Sequence, residues 1–134
     1  MNFIDAKLIK KDGRYNIEFG SEDTKETRGR KFYIELPEYK VNEEVLLPYL
    51  NKEVIAGVRP ECIHDEEMFI SSAKTGIIEA TVNVAEMMGA ETYLYLDCEG
   101  IHLTARVSNR STARPHDVIT CALDVNRVHL FDQD

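Results

Sequence analysis

The residues of this chain whose types could do chemistry are its four histidines, its three cysteines and its surplus of carboxylates. His64, His102, His116 and His129 are possible metal ligands by type. None stands at a ligand spacing from another His or Cys except in Cys62-Ile63-His64, and one such pair does not make a cage. Cys62, Cys98 and Cys121 are odd in number and widely spaced, with no CxxC, so neither a zinc ribbon nor a redox dithiol is indicated. They read as reduced, partly buried thiols of a cytosolic protein. The carboxylate pairs Glu86/Glu91 and Asp97/Glu99 could serve acid–base chemistry, but each flanks a turn, where acidic residues usually act as solvated ends or caps. Ser71, Ser72, Ser108 and Ser111 lack a G-x-S-x-G context. No G-x-x-x-x-G-K-[ST] loop is present to cradle ATP phosphates. The expectation is a chain without catalytic, cofactor or metal residues of its own, a recognition or coupling module.

Recognition chemistry is easier to place. Tyr93 and Tyr95 would share one face of a strand, as stacking platforms do in single-strand-binding barrels. Their charged neighbours Glu91, Asp97 and Glu99 are acidic, and the whole chain carries a formal charge of −8. Both features oppose a phosphate backbone, so nucleic acid is not expected as a partner. The basic cluster Arg28-Gly29-Arg30-Lys31 follows Glu22, Asp23 and Glu26 and reads as a solvated loop. Arg59-Pro60-Glu61 is more specific. Its proline fixes the backbone between a cation and an anion, which fits either an anchor for an inter-strand or inter-subunit ion pair or a plain surface turn.

The elements that must position these residues are short strands. Phe3 to Lys10 alternates loosely, Asp12-Gly13 supplies a two-residue hairpin turn, and Tyr15, Ile17 and Phe19 share the face of the returning strand. Residues 20–30 are polar and without periodicity, a mobile loop. Phe32, Ile34 and Leu36 mark a third strand ended by Pro37. Between Val41 and Lys52 a short turn is expected, since Pro48 interrupts any long helix. Residues 53–58 form a buried strand and Asp65-Glu66-Glu67 a loop. Ile78, Ala80, Val82 and Val84 then alternate as one strand face, with Gly89 as the turn. Residues 92–96, 101–107 and 118–123 complete about eight strands, separated by turns at Glu99-Gly100 and by the polar loop 109–117. The pattern is all-β, a barrel or sandwich. At 134 residues a single domain is expected, with two small lobes, 1–52 and 53–134, compatible with the spacing. No apolar run approaches a signal peptide or a membrane span, which places the chain in the cytoplasm as an expectation.

Taken in order, Met1-Asn2-Phe3, Gly57-Val58-Arg59-Pro60-Glu61, Glu86 through Tyr95, Ala105-Arg106-Val107, Asp124 and His129-Leu130-Phe131-Asp132 resemble one family across essentially the whole chain. That family is the C-terminal regulatory region of ATP-binding subunits of maltose-type sugar importers, a TOBE domain with an oligonucleotide/oligosaccharide-binding (OB) barrel. Pro115-His116-Asp117-Val118 departs from the family's more usual Gly-Asp turn, and Met87-Met88 stands where aliphatic residues are usual. The resemblance implies an all-β, OB-fold-like barrel with accessory strands. It also implies a regulatory part without its ATPase domain, so that ATP and magnesium belong to the missing half. It implies a homodimer, membrane subunits reached through the parent protein, a possible regulatory protein, and a place at the inner face of the cell membrane. The contact residues it points to are Arg59, Pro60, Glu61, Glu86, Gly89, Glu91, His129 and Phe131. A small-ligand sensor for an oxyanion or a sugar, as in molybdate-binding TOBE modules, is the other reading.

Overall fold

A computed structural model describes residues 1–22 and 29–132. Of the mobile loop expected at 20–30, residues 23–28 lie outside the described residues. Two five-stranded sheets carry the fold. The first is ordered β10-β4-β1-β2-β3, from β1 (Asn2–Lys11), β2 (Arg14–Gly20), β3 (Lys31–Glu35), β4 (Glu53–Val58) and β10 (His129–Phe131). The second is ordered β5-β9-β6-β7-β8, from β5 (Ile63–His64), β6 (Ile77–Met88), β7 (Glu91–Cys98), β8 (Ile101–Ser108) and β9 (Val118–Leu123). The second sheet curls nearly closed, as an OB-type barrel does.

Alternation along the strands builds one core. Ile4, Ala6 and Leu8 from β1 meet Tyr15, Ile17 and Phe19 from β2, and Leu94, Leu96, Leu103 and Ala105 fill the barrel. The expected hairpin turns form at Asp12-Gly13 and Glu99-Gly100, where all four residues have positive φ. Register then follows from them, Lys11 facing Arg14 and Cys98 facing Ile101.

Three expectations need correction. Residues 43–49 form a short helix α1 (Glu43–Leu46), capped by the Asn42 side chain, and a 3-10 turn Leu47–Tyr49 rather than a plain turn. Pro48 sits in the first turn of that 3-10 segment, where a missing N–H costs nothing. The acidic run 65–67 leads directly into a helix α2 (Glu67–Ser72), too short to leave a periodic signal. Val84 does not share the face of Ile78, Ala80 and Val82. A β-bulge between Val82 and Val84 turns it to the outer face, where it lies opposite Tyr95 and is exposed.

Candidate functional site

Motifs far apart in sequence meet on one side of the molecule. Phe3, Gly57 and His129 are in register across β1, β4 and β10 on the outer face of the first sheet. The Phe131 ring lies over Gly57 and meets Phe3 edge-on, with ring centroids 6.0 Å apart. A Cβ on Gly57 would come within 2.7 Å of both Met1 Sδ and Phe131 Cε2, so only glycine lets the ring and the thioether approach this closely. Phe3 is 62 % exposed and Phe131 43 %, which leaves an apolar patch open to solvent. Asn2, beside it, is buried. Its Nδ2 donates to the Thr104 carbonyl and its Oδ1 accepts from the Thr104 amide, both at 2.8 Å, so one side chain ties the start of β1 to the edge of β8.

The patch continues into a charged cluster along two chain segments, from Gly57 into Arg59 and from His129 back to Arg127. Pro60 opens a 3-10 turn, Pro60–Cys62, that presents Glu61 to Arg106, Arg59 and Arg127. A hydrogen bond from its own backbone amide, and then the fields of these three arginines, hold the Glu61 carboxyl below its ordinary value. Arg106 makes its direct ion pair with Glu91, Nε to Oε2 at 2.9 Å. Tyr93 faces it across β7 and β8, and the nearby Tyr93 hydroxyl first, then the Glu91 charge, shift the guanidinium above its ordinary value.

Of the residues singled out in the sequence, the structure thus gathers Arg59, Pro60, Glu61, Glu91, His129 and Phe131 around this face. Glu86 is linked to it only through register, opposite Tyr93. Gly89 is remote. It turns the end of the β6–β7 hairpin at φ 67°, a conformation that favours glycine, and nothing lies within 4 Å of where a Cβ would be. The sequence reading gave no role to Arg127, the Tyr93 hydroxyl or the Asn2 amide. The first two acquire theirs only when the 3-10 turn and strand register bring distant segments together.

The remaining reactive types are committed elsewhere. Burial pushes the Cys98 and Cys121 thiols up to about 12, and raises Cys62 as well, so all three are poor nucleophiles. His64 stacks on Phe69 at 3.9 Å, while His102 points outward from β8. No group of three or more His, Cys, Asp or Glu among the described residues is placed to hold a metal ion. No described helix is long and apolar enough to cross a membrane.

Two family models match the chain, the MalK OB fold domain over residues 1–63 and the TOBE domain over residues 72–130. The oligosaccharides import ATP-binding protein MsmX of Bacillus subtilis is 38% identical over 134 residues, covering 100% of this chain and 33% of that protein. The trehalose/maltose import ATP-binding protein MalK of Thermococcus litoralis is 28% identical over 137 residues, covering 99% of this chain and 32% of that one. The chain therefore spans about a third of the length of these relatives. Among solved structures, the cytoplasmic molybdate-binding protein ModG with molybdate bound superposes with a TM-score of 0.62, covering 98% of this chain and 95% of that one at 18% identity, a likeness of fold. Both matching models describe non-catalytic domains, and the sequence has no P-loop. From its first strand to its last, the chain belongs to the MalK OB-fold and TOBE family, the C-terminal regulatory domain of sugar-importer ATP-binding subunits.

Proposed function

We propose that this chain is the regulatory and dimerisation domain of the ATP-binding subunit of a carbohydrate importer, working in the cytoplasm against the inner face of the membrane. ATP and magnesium are then handled by another part of the subunit, and the membrane subunits are reached through it. The observation that carries the regulatory part of the reading is the convergence of Phe3, Gly57, Arg59, Glu61, Arg106 and Phe131 on one exposed face in a member of this family. An apolar patch rimmed by arginines and carboxylates has the make-up of a protein contact surface, with aromatic anchors inside and a polar edge outside. We assign this face to contacts with the rest of the importer or with a regulatory protein.

Sedimentation equilibrium from low to high micromolar tests the dimer. A mass that rises from one chain to two with concentration is expected, and a strict monomer throughout overturns the dimerisation part. In an ATP-binding subunit carrying this domain, Arg59→Ala and Phe131→Ser are expected to change the rate or regulation of ATP turnover, and unchanged turnover overturns the role given to the face.

The likeness to a molybdate-binding protein favours a second reading, a small-ligand sensor for an oxyanion or a sugar. Calorimetric titration with molybdate and with maltose separates the two. Saturable heat with either supports the sensor, and none supports the protein-contact reading.

A further inference from the structure

Sheet edges expose unpaired N–H and C=O groups, and this molecule closes most of its own. At β3, the Gly76 amide and the Thr75 hydroxyl both donate to the Tyr33 carbonyl, and the Glu35 amide donates to Thr75 Oγ1. At β8, the Asn2 side chain takes both backbone groups of Thr104. The edge strands β5 and β10 are only two and three residues long. Among the described residues, the second half of β6 is a long edge left without any such cover. β6 pairs with β9 from Ile77 to Thr81, and Val82 is engaged by Asp117 and His116, but β7 alone accompanies β6 onward to Met88. Among the described residues, nothing pairs with the other side of 83–88. Val84, Met87 and Met88 are exposed there, and Glu86 is the segment's one charged side chain. An open edge with so little charge is a template for another strand.

The geometry points to a second copy of this chain as that strand, the two β6 segments pairing antiparallel about a two-fold axis through Ala85. This rests on the dimerisation reading above and gives it a place. A two-fold axis perpendicular to the sheet sets residues of the same face opposite each other, so it must pass through a residue and not between two. With the axis at Glu86, the two carboxylates would lie face to face. With the axis at Val84, the partner strand would run onto Val82 and Thr81, whose edge is already occupied by His116, Asp117 and β9. With the axis at Ala85, Glu86 of one copy faces Val84 of the other and Met87 faces Asn83, so residues 83–87 pair without facing carboxylates and the ladder ends there, short of the occupied Val82. Self-association then uses the hairpin and leaves the face around Gly57 free for other partners.

The test is specific to this register. Two Ala85 residues facing each other across the axis would bring their Cα atoms to about 4.5–5.5 Å, within disulfide range. Ala85→Cys is therefore expected to form a covalent dimer on mild oxidation, with little background because Cys62, Cys98 and Cys121 are buried. Val84→Glu puts two acids opposite each other twice per dimer and is expected to raise the dimer Kd at least about tenfold, whereas Val84→Lys faces Glu86 and keeps or tightens it. Circular dichroism of each variant confirms the fold. A dimer that ignores Val84→Glu, together with an Ala85→Cys variant that does not cross-link, overturns this interface and leaves the dimer reading standing. A wild-type monomer at all concentrations overturns both.

Discussion

A Cβ placed on Gly57 would sit 2.7 Å from Met1 Sδ and from the Phe131 ring, while a Cβ placed on Gly89 would meet nothing within 4 Å. The two glycines mark two differently made regions. Around Gly57 the chain's beginning, middle and end are packed and hydrogen-bonded onto one another, and every contact there spans many residues of sequence. Around Gly89 the β6–β7 hairpin extends with β8 alongside β7 as far as Glu91 opposite Ser108, and among the described residues only the outer side of β6 beyond Val82 is without a strand. The first region depends on the whole fold. The second is local and costs the fold little to alter, which is what a surface that meets a partner requires.

Substitutions on either side of this contrast should separate sharply. Leu94 is fully buried and stands opposite Ala85 in the hairpin, so Leu94→Ala is expected to cost about 2–5 kcal/mol. Met87, two residues further along β6 and 73 % exposed, should lose less than about 0.5 kcal/mol on the same change. Urea unfolding of the two variants checks this, and equal losses would mean the outer side of β6 is packed after all.

Asn2→Ala leaves the Thr104 amide and carbonyl without their partner, at an expected cost of about 1–3 kcal/mol. Hydrogen exchange at the Thr104 amide should quicken, and an unchanged rate would contradict the role given to Asn2. Gly57→Val forces Phe131 off its seat, and about 1–3 kcal/mol is expected for such overpacking. Gly89→Ala meets no contact, and loses only what its positive φ demands, roughly 1 kcal/mol. The Gly57 change should also release β10, visible as faster exchange at 129–131.

The smallest effect is electrostatic. Glu61 titrates below its ordinary value in the folded protein, so its contribution is complete above the unfolded carboxyl value of about 4.3 and is lost as pH falls through the lower folded value. Glu61→Gln should therefore flatten the fall of stability below about pH 4 and change little at neutral pH. Thermal unfolding against pH measures it, and an unchanged acid limb would remove Glu61 from the cluster.

How much of this was legible in the sequence divides along the same line. The hairpins were readable because Asp12-Gly13 and Glu99-Gly100 fix both turn and register. Counting outward from Glu99-Gly100 places Tyr93 opposite Arg106, and with it the side shared by Glu91. The Gly57 face was not readable by pattern, since no periodicity says that Phe131 returns to β4 or that Asn2 reaches β8. Arg59-Pro60-Glu61 stood out by its residue chemistry, and the other motifs of this face were visible only through family resemblance. Val84 shows the limit of alternation, because one bulged residue reverses every later side chain on β6. The helix α2 escaped for a simpler reason, its six residues being too few for a helical period.

Amide hydrogen exchange of the wild-type chain, compared at low and high micromolar concentration, bears most directly on the separation of the two regions. The account predicts that amides of 83–88 gain protection as concentration rises, while those of 57–61 and 129–131 stay as they were. Protection gained around Gly57 and Phe131 instead, or no change with concentration anywhere, would contradict it.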